Sequence, residues 1–414
     1  MIFLLKCSFA LRRIATLLLA RVLLQREVRK VSALSLREQI EEQIRRSGPI
    51  PFSRYMQICL YEPLCGYYSR NAEQFGKAGD FYTSSDVHAV FGRLLARQFE
   101  EIWQALDRPA EIEILELGPG RGLFARDVLD WSKKKFPDFF AALTYTLQES
   151  SPQLRARLQE SLLEHIATTK ARVPEGRPTD SCRTLGPESA LIVFANEFFD
   201  ALPVEIFSLR GKLHVAIEND RLQEIWLPPL PEEVEFLDRY GVQPQADERI
   251  EIPLLAQTTV TEIASSIRRG LLLVIDYGYT RGEQLAGRHR GTLMAYRHHS
   301  ASSAPYEAPG EQDLTAHVNF TALAAACELA GMKCEKLLTQ AQFLMGIGEK
   351  NQFADAFEDC RVLPEQAKVA LQLKHLITPA GMGENFRVLM ASRGMAAEKL
   401  SALGGLSFGN RSKV

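Results

Sequence analysis

The chain has 414 residues, 46% of them hydrophobic and 24% charged, the balance of a soluble globular protein rather than a disordered one. Lysine and arginine total 49 against 51 acidic residues, so the net charge of −2 gives no electrostatic reason to expect a nucleic-acid partner. The seven cysteines form no CxxC pair and have no histidines at zinc spacing, which points to reduced thiols and to no metal site.

Residues 1–30 are apolar and basic, with one acid, Glu27. Lys6, Arg12, Arg13 and Arg21 interrupt the apolar run, so it suits neither a secretory signal nor a transmembrane helix of ~20 residues. No stable membrane insertion is expected. The stretch reads as a mitochondrial-type presequence or as a non-native extension from an early start, and residues 1–34 are set apart from the fold. The compartment expected is a bacterial-type cytoplasm, with the mitochondrial matrix as the alternative.

An N-terminal helical region occupies 35–110. Ser35-Leu36-Arg37-Glu38 is a capping-box pattern opening an amphipathic helix that Gly48-Pro49 stops. A short helix at 52–60, the turn Gly66-Tyr67-Tyr68 and a loop at 76–85 follow. Then Val87, Val90, Phe91, Leu94, Leu95, Phe99 and Ile102 recur at helical spacing through a long helix, 86–106.

From 111 to 203 strands alternate with helices: strands at 111–117, 143–148 and 190–195, helices at 123–135 and 152–166. Such alternation predicts a mostly parallel sheet, an α/β Rossmann-like fold. At 204–209 and 213–217 the period changes to two around Arg210-Gly211-Lys212, a hairpin with a possible third strand at 222–227, and 204–269 reads as an insertion with this hairpin and helices, the last ending near Arg269-Gly270. The core resumes over 270–395 with a strand at 271–276, helices at 320–330, 352–359 and 365–376, and a strand at 386–391. The tail, 396–414, is expected to fray.

Glu116-Leu117-Gly118-Pro119-Gly120-Arg121-Gly122 follows a strand and opens a helix, the context in which a glycine-rich loop carries a ligand. Dinucleotides place a pyrophosphate there, which an adjacent carboxylate repels. S-adenosylmethionine (SAM) has no phosphate and brings an ammonium and a sulfonium that Glu116 favours. Leu123 also stands where a dinucleotide loop has its third glycine. Glu149, ending the next strand, is placed to accept both ribose hydroxyls. The cofactor expected is SAM, held by Glu116, Gly118, Pro119, Gly120, Gly122 and Glu149.

With this loop in place the chain resembles the MidA-like methyltransferase family. The resemblance rests on Tyr61-Glu62-Pro63-Leu64-Cys65-Gly66-Tyr67-Tyr68, Gly79-Asp80-Phe81-Tyr82-Thr83-Ser84 and the cofactor loop. It also rests on Asn196-Glu197-Phe198-Phe199-Asp200-Ala201-Leu202-Pro203, Asp276-Tyr277-Gly278 and Pro309-Gly310-Glu311-Gln312-Asp313-Leu314-Thr315-Ala316-His317-Val318. It implies a class I methyltransferase fold, SAM, and a protein arginine as acceptor, specifically in a respiratory complex I core subunit during assembly. Asn319 and Ala304 depart from the pattern, each standing where an acid is usual.

The segment Asn196–Asp200 lies just beyond a strand's carboxyl end, where ligands of open α/β sheets gather. Glu197 and Asp200 are the candidates for orienting a guanidinium, and Asp200 is also a candidate proton acceptor. Asn196 is placed to touch cofactor or acceptor. Phe198 and Phe199 are expected to pack beneath the sheet, and Asp200 as a simple turn cap stays open. Asp80 is a candidate to close over the cofactor and His317 a candidate for acid–base work. His298-His299 has no carboxylate at metal spacing. Two other readings survive: a methyltransferase acting on a small molecule, and a non-catalytic SAM-binding assembly factor.

Overall fold

The computed structural model describes residues 35–70, 89–176, 186, 188–284, 291–297 and 300–410. Asp80, Val87, the 76–85 loop, the 1–34 extension and His298-His299 lie outside the described residues.

Among the described residues the central sheet has nine strands, seven of them in line: β1 (Ile112–Leu117), β2 (Leu143–Gln148), β3 (Ala171–Arg172), β4 (Ala190–Asn196), β5 (Gly270–Tyr279), β6 (Lys333–Cys334) and β7 (Phe386–Arg393), with Val318–Asn319 on β5 and Leu338–Thr339 on β7 off that line. Their spatial order is 3-2-1-4-5-7-6. β1 to β5 pair in parallel, with Leu117 opposite Gln148 on one side and Ala195 on the other. β7 is antiparallel to both β5 and β6. The central strands β4 and β5 (as far as Ile275) are apolar on both faces because helices cover both. Ile112, Ile114, Ile192, Phe194 and Leu273 meet the helices Ala89–Ala105, Leu123–Lys135, Gln340–Glu349 and Leu363–Ile377. Leu115, Leu117, Val193, Leu272 and Val274 meet Leu254–Ser266 and Phe320–Leu329. Val90, Phe91, Leu94, Leu95, Phe99 and Ile102 are all buried, as their spacing predicts. Phe124 stacks on Phe194 at 4.6 Å, locking the helix after the glycine loop to the sheet.

The chain leaves β1 toward β2 and β3, and returns to β4 and β5 on the other side. The loops after β1 and β4 therefore diverge at the carboxyl edge and open a crevice between them.

Two smaller sheets flank that edge. Glu205–Ser208 and Gly211–Glu218 form the expected hairpin, with Arg221–Leu227 as its third strand, joined by Ile50–Pro51 and Ile250–Ile252. The capping box at Ser35 forms on Leu36–Ser47, whose Leu36, Ile40 and Ile44 pack with this sheet. The other sheet, Met294–Arg297 with Ser300–Ser302 and Asp313–Thr315, roofs the crevice.

Some elements differ from expectation. The 396–410 segment does not fray: it forms Ala397–Ser401 and Gly404–Asn410, burying Leu400, Leu403 and Leu406. The backbone N–H groups of Gly404 and Gly405 donate to Glu101 (2.6 Å) and Gln98 (2.7 Å), which docks the segment on the long helix. The helix expected at 352–359 shrinks to Ala354–Phe357, because Gln352 and Phe353 take left-handed φ values of 55° and 58°. Pro231–Tyr240 and Gln340–Glu349 are additional helices.

Candidate active site

Gly118, Gly120 and Gly122 all take left-handed φ, 63°, 52° and 72°, which lets the backbone turn from strand into helix within a few residues. The Gly118 N–H donates to the Gln148 carbonyl (3.1 Å) and the Gly122 N–H to the Pro119 carbonyl (2.9 Å). A Cβ on Gly118 lies 2.9 Å from Phe198, so the aromatic edge rests directly on the loop. Gly122 does not line the cavity: a Cβ there lies 2.6 Å from Leu158, and its role is packing against the helix Pro152–Ser161.

The crevice is a cavity of about 500 Å³, within the usual range of small-ligand sites. Glu116, Gly118, Pro119, Gly120, Gln148 and Glu149 line its β1–β2 end. Glu116 is buried and accepts from the Tyr145 hydroxyl (2.8 Å); burial pushes its carboxyl up to about 8, against the pull of that hydrogen bond. Glu149 is buried and accepts from the N–H of Ser151 (2.9 Å); burial pushes it up to about 7, while backbone N–H groups, Gly120's included, oppose the shift. Gln148 Oε1, Asn196 Oδ1 and Asp200 Oδ1 are buried without a hydrogen-bond partner, and all three residues line the cavity. These orphans are acceptors. The set suits a ligand rich in donors and cationic charge, such as SAM, and not a pyrophosphate.

The β4 end is built on strain. Glu197 holds a left-handed φ of 50°, unusual for a side chain larger than glycine, with its N–H donating to the Ile275 carbonyl (3.0 Å). One carboxylate oxygen of Asp276 then accepts from the N–H groups of Phe198 (3.2 Å), Phe199 (2.9 Å) and Asp200 (3.3 Å), while the other accepts from Tyr277 (2.8 Å). Asn196 Nδ2 donates to Glu197 (3.1 Å) and the Tyr277 hydroxyl to its other oxygen (3.3 Å). Asp200 is 5% exposed. Burial, and then the nearby Asp276, Glu197 and Asp313, push its carboxyl well above the ordinary range.

The structure thus brings Glu116, Gly118, Pro119, Gly120, Glu149, Asn196, Glu197, Asp200 and His317 to one cavity. His317 sits at its exposed rim, with its ring stacked at 14° on Tyr277, 6.4 Å away, and its N–H donating to Thr292 (2.9 Å). Phe199 packs beneath the sheet as expected, whereas Phe198 lines the cavity. Asp276, Asp313, Tyr61, Tyr68 and Tyr296 were not among the sequence candidates. All but Tyr296 lie inside the quoted motif segments, which was the only signal for them. Asn319 caps the helix Phe320–Leu329 through Ala322 N–H (3.0 Å) and also donates to the Tyr240 carbonyl (2.9 Å), a bond an acid there cannot make. Ala304 offers its carbonyl to Gln312 (3.1 Å).

Asp276 acts on the site through the loop it holds. Asp276→Asn forces amide donors against N–H groups, and is expected to cost about 1–3 kcal/mol of stability. Turnover should fall while SAM affinity stays within roughly threefold, since the β1–β2 end is untouched; thermal unfolding and calorimetry check both. Unchanged turnover in the folded variant would deny Asp276 any part in positioning.

Comparison with known proteins accords with this geometry. Residues 94–338 match a family described as "Putative S-adenosyl-L-methionine-dependent methyltransferase". The chain is 30% identical over 390 residues to the Drosophila melanogaster protein named protein arginine methyltransferase NDUFAF7 homolog, mitochondrial, covering 88% of this chain and 86% of that one. It is 29% identical to the corresponding Danio rerio protein over 382 residues, 85% of this chain and 86% of that one. Among solved structures, a Burkholderia thailandensis protein bound to S-adenosyl-homocysteine superposes with a TM-score of 0.76 at 30% identity, covering 90% of this chain and 94% of that one. Among the described residues no helix is long and apolar enough to cross a membrane. The order 3-2-1-4-5-7-6, the donor-seeking cavity and these matches agree, and the chain belongs to this family of SAM-dependent methyltransferases.

Proposed function

We propose that the methyl acceptor is an arginine side chain of a protein, and that Glu116, Gly118, Pro119, Gly120 and Glu149 hold SAM while Glu197 and Asp200 receive the guanidinium. The observation that carries the reading is the buried carboxyl of Asp200, with an oxygen that has no partner, facing the same cavity as the glycine loop. SAM supplies an electrophilic methyl on a sulfonium. A guanidinium presents a planar fork of donors that carboxylates match, so Glu197 and Asp200 fix its rotation while one nitrogen points at the methyl. Burial, and then the neighbouring acids, weigh against ionisation of Asp200. Two entering cations reverse that balance, and the ionised carboxylate then accepts the proton that the attacking nitrogen sheds.

The names of the relatives support arginine as the acceptor, and the family resemblance supports a complex I core subunit as the protein carrying it. Their mitochondrial designation favours the matrix, while the Burkholderia neighbour fits the bacterial-type cytoplasm. The test is incubation of the full chain and candidate subunits with methyl-labelled SAM, followed by hydrolysis and separation of amino acids. Label in methylarginine supports the reading; label confined to another amino acid or a small molecule refutes it.

The two cofactor-end acids make SAM binding depend on pH. Below about 7 and 8, Glu149 and Glu116 carry protons in the free protein. Both values lie above those of exposed carboxyls, so their contribution to stability is complete below ~4.5 and is lost as pH rises through 7 to 8. A bound cation favours the ionised forms and expels protons. SAM affinity should therefore rise from pH 6 to 7.5 by roughly 100-fold where both acids ionise on binding and by roughly tenfold where one does, with proton release seen as a dependence of binding heat on buffer ionisation. A flat profile would mean that neither acid faces the bound cation.

A further inference from the structure

The roof over the cavity carries a pattern of its own. Met294–Arg297 and Asp313–Thr315 pair antiparallel, with Met294 opposite Thr315 and Tyr296 opposite Asp313. Strand side chains alternate between faces. Met294, Tyr296, Asp313 and Thr315 line the cavity, while Ala295 and Leu314 between them are buried in the N-terminal cluster. One face of this ribbon therefore lines the same cavity as Glu197 and Asp200.

The ribbon is fastened at several points. The Ala316 N–H donates to the Asp200 carbonyl (2.9 Å), which ties roof to floor. Glu251 accepts from the N–H groups of Thr292 (2.7 Å) and Leu293 (3.1 Å) at the strand's entry. The Tyr68 hydroxyl donates to Asp313 Oδ1 (2.8 Å), which fixes the carboxylate of a residue only 2% exposed. Asp313 and Asp200 are close enough for each to act on the Tyr296 hydroxyl lying in the cavity.

From this we infer that Asp313, carried on the roof and braced by Tyr68, is a specificity-determining residue of the acceptor chamber. With Glu197 and Asp200 it closes a box of three carboxylates that selects a cationic group. Taking that cation to be a guanidinium rests on the arginine reading above. The physical reason is the cost of the empty box. Acids lining one chamber oppose one another's ionisation, as Glu197 and Asp313 do that of Asp200, and a cation set among them relieves that repulsion and satisfies their acceptors together. A neutral acceptor of the same shape supplies donors without charge and leaves the repulsion in place. A guanidinium has donors on more than one edge, so floor and roof can grip different edges while one nitrogen stays open to the cofactor end.

The test uses the full chain loaded with S-adenosyl-homocysteine, titrated with Nα-acetyl-arginine amide, its citrulline analogue as neutral isostere, and Nα-acetyl-lysine amide. The wild type should bind the arginine probe at least ~10-fold more tightly than the citrulline one. Asp313→Asn should erase most of that preference, with S-adenosyl-homocysteine affinity unchanged. Tyr68→Phe keeps the shape, removes only the brace and should weaken arginine binding a few-fold, which keeps the inference testable if the first variant folds poorly. Equal binding of the arginine and citrulline probes by the wild type, no measurable binding of any cationic probe, or an undiminished preference in Asp313→Asn overturns it. A wild-type preference for the lysine probe that Asp313→Asn abolishes would uphold the box and refute the arginine reading.

Discussion

Asp200→Ala is expected to lower methyl transfer at least ~10³-fold while SAM affinity stays within roughly threefold, because it removes an acceptor-orienting group and a proton acceptor together. The backbone of the loop should survive the change. The hydrogen bond from residue 200 to Asp276 is made by its main-chain N–H, and the bond from Ala316 goes to its carbonyl. The truncation strands little, since Asp200 Oδ1 has no partner and the carboxyl's backbone contact is the N–H of the adjacent Ala201. Removing a buried acid from beside Asp276, Glu197 and Asp313 also relieves repulsion. The variant should therefore unfold at the wild-type temperature or slightly above, which separates a lost chemical function from a lost fold. Retained turnover would remove Asp200 from the mechanism.

Gly118→Val is expected to abolish SAM binding, with affinity reduced at least ~100-fold, through two effects. A φ of 63° is open to glycine but strained for a β-branched residue, costing on the order of 1–2 kcal/mol before any contact is counted. The new side chain would also start 2.9 Å from Phe198, and that ring has to move. Its retreat disturbs the Asn196–Asp200 segment on the opposite wall, and the valine methyls occupy space on the cofactor side. A folded variant that still binds SAM normally would show that the glycine loop is not the cofactor's seat.

How much of this was legible in the chain depended on distance along it. Glu116, the loop glycines and Glu149 could be read because one strand–loop–helix unit and the next strand contain them all. Glu197 and Asp200 could be read because they directly follow an apolar strand. The groups that hold these residues could not. Asp276 reaches the Phe198–Asp200 backbone from 76 to 78 residues away, and Tyr68 reaches Asp313 across 245. No local period encodes such pairs. The roof was missed because its strands are three or four residues long and rich in alanine and serine, too short for an alternation to stand out. Gln340–Glu349 carries Gly346 and Gly348, which weaken the helical signal of its sequence. In the fold they permit close contact, a Cβ on Gly346 lying 2.4 Å from the Gly404 carbonyl. That contact also explains the docked 396–410 segment, whose glycines looked like a loose end and are a packing surface.

The measurement that tests the account most directly is a calorimetric titration of the full chain with SAM, with NAD run beside it. Saturable binding of one SAM per chain, strengthening from pH 6 to 7.5, and no binding of NAD is the expected result. Binding of NAD with none of SAM would contradict the reading of Glu116 as a carboxylate that repels phosphate and welcomes a cation.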